Sequence, residues 1–388
     1  CGPLNRPKLP AVEGIENYKG HTFHTARWDY EYTGAQLENL KDKRVGIIGT
    51  GASAVQAIPE LGKAAKELYI FQRTPSSIDV RDDWETDPEW ASTLEPGWQA
   101  ARRTRAIEGP QISDSVRARR EAMSREEKVQ RQENANIDAM MRIHSRIDEV
   151  VEDPATAESL KPWYMLMCKR PCFHNEYLPT FNRPNVTLVD TKGQGITQIN
   201  ESGPEFDGVQ YEVDVLIYAT GFDSNHIPFA VTGRDGVTLA DQYGANEANN
   251  WQMTRPQSLW GIHVENLPNF YLMIGPQSLN PVTNVTLLCE EQGKYIAALV
   301  SRMRAGGQME VEPRAEAVSA WTERCNDSAD GKVWLRCNNW YMKSTKSDVE
   351  AGRERSQGMW MDTYEPYLQH LLGGAGGSQD SLLHFTGK

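Results

Sequence analysis

A short apolar run, Arg44-Val45-Gly46-Ile47-Ile48, stops at a glycine and gives way to a stretch of helical composition from Ala52 to Leu61. In that stretch Ala54, Val55, Ala57, Ile58 and Leu61 recur at three- and four-residue spacings, which line one face of a helix. A second apolar run, Leu68-Tyr69-Ile70-Phe71, follows. The order predicts strand, tight turn, helix and a second strand parallel to the first, because a helical crossover is the usual way to join parallel neighbours. The turn reads Gly49-Thr50-Gly51-Ala52-Ser53-Ala54, a Gly-x-Gly-x-x-Ala pattern. Gly49 permits the sharp turn, Gly51 lets backbone N–H groups approach a pyrophosphate, and Ala54 allows close helix packing. A dinucleotide is therefore expected to sit against Gly49, Thr50, Gly51, Ser53, Ala54 and Gln56. A glycine-rich turn with only a structural role is the alternative.

The end of the second strand reports which dinucleotide. NAD sites usually carry an acidic residue there to accept from the ribose 2′-hydroxyl. This chain has Gln72-Arg73-Thr74-Pro75 instead. A guanidinium forks onto phosphate where a carboxylate would repel it, so Arg73, aided by the Thr74 hydroxyl, favours NADPH over NADH.

With 388 residues the chain is long enough for two or three packed cores. Its net charge of −12, with acids interleaved among its basic residues, argues against nucleic acid or an anionic membrane as partner. No apolar run approaches the roughly 18 residues of a membrane span. Six cysteines without Cys-x-x-Cys spacing read as reduced thiols, and nothing completes a ligand set around Cys168 and Cys172, so no metal is expected. From Asp79 to about Pro162 the composition turns charged and Trp-rich, with helical spacing from Ile137 to Val151. Strand signals return at Val186–Val189 and Val213–Tyr218, as if a sheet resumed after an insertion.

Upstream of the glycine turn lies Tyr18-Lys19-Gly20-His21-Thr22-Phe23-His24-Thr25-Ala26-Arg27-Trp28-Asp29. It resembles the fingerprint of the Baeyer-Villiger monooxygenases, aromatic-x-Gly-x-x-x-His-x-x-x-Trp-Pro/Asp, with Tyr18, Gly20, His24, Trp28 and Asp29 at the defining positions. Flavin N- and S-oxygenases typically lack the Trp-Pro/Asp ending. His24 reads either as a hydrogen-bonded structural residue or as part of a loop that couples domain movement to NADPH.

The resemblance implies an α/β fold, a Rossmann-type flavoprotein binding two dinucleotides, with a helical insertion. It implies FAD and NADPH as cofactors, a small-molecule ketone and O2 as substrates, and an ester or lactone as product, while the negative net charge favours a cytoplasmic enzyme. Lys169-Arg170 resembles the family's Lys-Arg segment, which assigns Lys169 to the NADPH phosphate and Arg170 to catalysis, where a fixed cation stabilises an anionic oxygen. Thr220 and Gly221 resemble the Ala-Thr-Gly link between the two nucleotide domains, Gly275 a flavin-side turn, and Trp340 a residue closing over the nicotinamide. The opening Gly2-Pro3-Leu4 segment resembles a mid-domain connection. The chain is therefore expected to lack an N-terminal flavin segment of roughly 100 to 200 residues, leaving the flavin domain incomplete and that segment as a partner. The implied domains are 1–30, a linker with the fingerprint; 31–80 and 163–222, the NADPH domain; 81–162, the helical insertion; 223–372, part of the FAD domain; and 373–388, a flexible tail. Two rival readings are an oxygenase of amines or sulfides and a non-catalytic NADPH-binding fragment.

Overall fold

The computed structural model describes residues 2, 4–108, 113–224, 226–227, 229–249, 251–279, 283–329, 332–337, 339 and 359–387. The chain forms two compact units, one of Leu4–Trp84 with Val129–Ser224, the other of Cys1–Pro3 and Glu85–Lys128 with Asn225–Lys388.

The first unit is built on five parallel strands: β1 (His21–His24), β2 (Arg44–Ile48), β3 (Glu67–Gln72), β4 (Val186–Asp190) and β5 (Val215–Tyr218). Their order across the sheet is β1-β5-β2-β3-β4. Helix α1 (Ala52–Ala64) connects β2 to β3, so the expected strand-turn-helix-strand unit is present. Side chains alternate across the pleat. Val45, Ile47, Leu68, Ile70, Val215 and Ile217 join α1 in one core, while Ile48, Phe71, Leu216 and Tyr218 join a second core on the opposite face. Strands buried on both faces read as continuous apolar runs, which is why they stand out in the sequence. The second face is covered by an antiparallel meander of Gln198–Asn200, Gly203–Phe206 and Val209–Gln210.

The 81–162 segment is helical, but it is not one insertion. Helix α2 (Arg125–Val150) delivers Met140, Ile143 and Ile147 to the sheet-side core, together with Ala157 and Leu160. Residues 85–128 cluster with the second unit instead. There the Trp98–Glu108 helix places Arg103 in an ion pair with Glu290.

Two further expectations need correction. The 1–30 segment is more than a linker, because its residues 21–24 pair in register with β5, His21 opposite Val215 and His24 opposite Tyr218. A four-residue edge strand with two histidines has no apolar run to betray it. Nor is 373–388 a flexible tail. The helix α5 (Tyr364–Ala375) runs into it, and Leu383–Gly387 pairs antiparallel with Gln308–Pro313. Leu383 is fully buried, and the Arg302–Asp380 ion pair ties down the turn before it. Glycine content here marks tight backbone approach, not freedom.

In the second unit helices α3 (Val285–Gly306), α4 (Ala315–Ala329) and α5 enclose an aromatic core, in which Trp321 stacks on Trp360 at 5.1 Å beside Trp260, Tyr295 and Tyr367. Cys172, Cys289 and Cys325 are free thiols, as expected of them.

Candidate functional site

The strand order reverses direction between β2 and β5, with β3 and β4 on one side and β1 on the other. Open parallel sheets bind ligands outside the carboxyl ends of the strands at such a switch point. Both loops that leave these ends are tightly drawn. Gly49 has φ +109° and donates its N–H to the Phe71 carbonyl at 3.0 Å, while Ala219 N–H reaches the Ile48 carbonyl at 2.9 Å. A Cβ at Gly49 would lie 2.5 Å from the Ala219 carbonyl oxygen, so only glycine fits. Gly51 begins α1 with no side-chain cap, and open space lies where its Cβ would be. The first-turn N–H groups of α1 therefore lie at an uncapped, electropositive helix end. Ala54 is fully buried against the sheet, whereas Ser53 and Gln56 are exposed beside the helix start. The Thr50 hydroxyl donates to the Thr74 carbonyl at 2.8 Å, and the Ser76 hydroxyl donates back to the Thr50 carbonyl. The glycine turn and the Arg73 loop are thus clamped together.

A short parallel ribbon, Ile78–Asp79 against Cys172–Phe173, sets the Arg73 loop alongside the Lys169-Arg170 segment. Two bonds extend its register, Cys172 N–H to the Ser77 carbonyl at 2.9 Å and His174 N–H to the Asp79 carbonyl at 3.0 Å. Arg73 and Arg170 are exposed, and Lys169 is half-buried. Burial, and secondarily the charge of Arg73, holds the Lys169 ammonium below its ordinary lysine range. Among the described residues no carboxylate pairs with Arg73, Lys169 or Arg170. In a chain of net charge −12, such an uncompensated group of cations suits an anionic ligand.

The fingerprint residues lie along β1, with Tyr18 and Gly20 at its amino end, where Asp29 reaches His21, and His24 at its carboxyl end. The Tyr18 ring lies over Gly20, where any Cβ would strike it, and its hydroxyl donates to the Val213 carbonyl at 2.9 Å. His24 is buried and packs edge-on to Phe222. Its Nδ1 accepts the Ala26 N–H at 3.1 Å, which leaves the proton on Nε2, a buried nitrogen without a hydrogen-bond partner among the described residues. Burial lowers its pKa. Asp29 caps the next turn by accepting the Tyr32 N–H, which is the main reason its pKa is lowered, and its other oxygen meets His21 Nε2 at 2.9 Å. The Trp28 indole donates to the Thr33 hydroxyl at 3.1 Å and packs on Phe23. His21, Thr33 and Tyr164 were not singled out by sequence reasoning, because single polar residues carry no pattern.

No protein-family model matches the sequence. A Baeyer-Villiger monooxygenase of Stachybotrys chlorohalonatus is 40% identical over 352 residues, which cover 83% of this chain and 55% of that protein. The chain belongs to the Baeyer-Villiger monooxygenase family. The cyclohexanone monooxygenase from Rhodococcus sp. Phi1 bound to NADP+ matches with a TM-score of 0.81 and 27% identity, over 100% of this chain and 74% of that one. OTEMO in complex with FAD and NADP matches with a TM-score of 0.80 and 25% identity, over 99% and 74% respectively. The chain thus spans about half the length of the curated relative.

The remaining residues that the family resemblance marks out are placed as follows. The Thr220 hydroxyl donates to the Lys8 carbonyl, and the Gly221 carbonyl accepts the Lys8 N–H at 2.9 Å. These groups thus hold the 6–8 segment beside the end of β5. Gly275 lies in the second unit, buried, with its N–H on the Gly261 carbonyl and its carbonyl on the Ser278 hydroxyl. Both backbone groups are used within the fold, and a Cβ there would collide with the Gly261 carbonyl. Trp340 lies outside the described residues.

Proposed function

We infer that the chain provides the NADPH site of a Baeyer-Villiger monooxygenase that inserts one oxygen atom of O2 beside the carbonyl of a small-molecule ketone, giving an ester or lactone. The observation that carries this reading is the pairing of an open, uncapped glycine cradle with the unpaired cations Arg73 and Lys169. A dinucleotide phosphate fits that combination. Gly49, Gly51, Ser53 and Ala54 would receive the pyrophosphate at the start of α1, with Thr50 holding the turn and Gln56 on the exposed flank. Arg73, Thr74 and Lys169 would receive the 2′-phosphate. NADPH supplies a hydride when bound. The role of Arg170 is to stabilise negative charge on oxygen, for which an exposed guanidinium without a carboxylate partner is suited.

The family's second cofactor, FAD, finds no comparable cradle among the described residues. The second unit contributes a two-stranded antiparallel pair and no parallel sheet, and Gly275 is spent internally. That observation favours, as the second reading, a chain that binds NADPH without turnover on its own. The proposal places the protein in the cytoplasm. Among the described residues no helix is long and apolar enough to cross a membrane.

The test is the visible spectrum of the purified chain incubated with FAD, followed by NADPH in air and product analysis with a ketone and a thioether. A bound-flavin spectrum that bleaches and recovers, with ester formed, supports the monooxygenase. Sulfoxide without ester favours an S-oxygenase. NADPH binding without flavin supports the second reading, and absence of NADPH binding overturns both.

A further inference from the structure

Tyr164 is assigned no role by the motifs, yet it touches both halves of the cation group. Its hydroxyl donates to the Pro75 carbonyl at 3.0 Å and accepts the Ser77 N–H at 3.1 Å, with the Ser77 hydroxyl at 3.3 Å. Pro75 lies two residues beyond Arg73, and Ser77 opens the ribbon that runs beside Cys172. The face of the same ring lies 5.7 Å from Lys169 Nζ, within cation–π range. One side chain therefore grips the Arg73 loop with its hydroxyl and supports the Lys169 ammonium with its ring.

Two like charges at close range repel, and both side chains are long enough to swing into water. Holding them together before a ligand arrives requires a fixed loop on one side and an attractive surface on the other. We propose that Tyr164 is a positioning residue that sets the distance between Arg73 and Lys169 and so determines preference for a 2′-phosphorylated nicotinamide cofactor. The proposal rests on the NADPH reading of this site. It predicts that Tyr164 contributes more to binding of the phosphate than of the parts that NADPH and NADH share, because the glycine cradle, besides its Thr50 bonds to the Arg73 loop, has further bonds of its own at Gly49 and Ala219.

The experiment is calorimetric titration of the whole chain with NADPH, NADH and 2′,5′-ADP, in wild type, Tyr164→Phe, Tyr164→Leu and Arg73→Ala. Tyr164→Phe keeps the ring under Lys169 and removes the hydroxyl's bonds. It is expected to weaken NADPH and 2′,5′-ADP roughly 5- to 10-fold while NADH changes less than about twofold. Tyr164→Leu, which loses the ring as well, should weaken the phosphorylated ligands further. Retained NADH binding certifies an intact crevice in each variant. Equal weakening of NADH and NADPH, or no change in either, overturns the proposal. If Arg73→Ala leaves NADPH selectivity intact, the NADPH reading itself fails. If Arg73→Ala removes selectivity and Tyr164→Phe does not, only the role of Tyr164 fails.

Discussion

Arg73 and Lys169 show how a site can be held ready by its own discomfort. Lys169 is half-buried, and burial first and Arg73 second push its pKa down. A bound phosphate counters the repulsion from Arg73 with an opposite charge beside the ammonium, so the ammonium is more easily protonated in the complex than in the free protein. The sign follows. As pH rises through the lowered free-state value, binding must also recruit a proton, and NADPH affinity falls until the complex itself deprotonates. NADPH dissociation constants measured against pH should show that decline, with NADH flat over the same range and Lys169→Met removing the dependence. Arg73→Ala should raise the NADPH dissociation constant by about 10- to 100-fold, the loss of one charge-assisted hydrogen-bonding group. NADH should change by less than about twofold in the same titration.

At the scale of elements, the informative pieces are those that pair without announcing themselves. The edge strand β1 brings His24 beside Gly221 because its four residues add to β5 in register. The C-terminal strand 383–387 closes on Gln308–Pro313, with Leu383 sealed into the aromatic core. Leu383→Ala is therefore expected to cost about 2–5 kcal/mol by the transfer and cavity terms. Leu9→Ala, at a side chain half exposed, should stay within about 0.5 kcal/mol. Chemical denaturation curves of the two variants check both. A tail that contributed nothing to folding would make the Leu383 variant indistinguishable from wild type.

At the scale of the whole molecule, the chain leaves and re-enters each unit. The parallel sheet, the glycine cradle, the cations and Tyr164 all belong to 4–84 and 129–224, whereas 85–128 belongs with 225–388. Replacing 85–128 by a flexible Gly/Ser linker of about 15 residues should thus leave NADPH binding near its wild-type value. Loss of binding in a variant that still unfolds cooperatively would show that the excised helices contribute to binding. The sequence by itself determined the βαβ unit, the glycine turn and the arginine at the end of β3, since strands buried on both faces and a turn admitting only glycine leave local signatures. It also determined the family, through the Tyr18–Asp29 spacing. Tertiary structure alone decided that β1 joins the sheet, that the helical segment divides between two units, that 383–387 is a strand, and that Tyr164 joins the Arg73 loop to Lys169. Each of these depends on which distant surfaces meet, and the energy of such a meeting lies in contacts between residues far apart in the chain, so no local window of sequence records it.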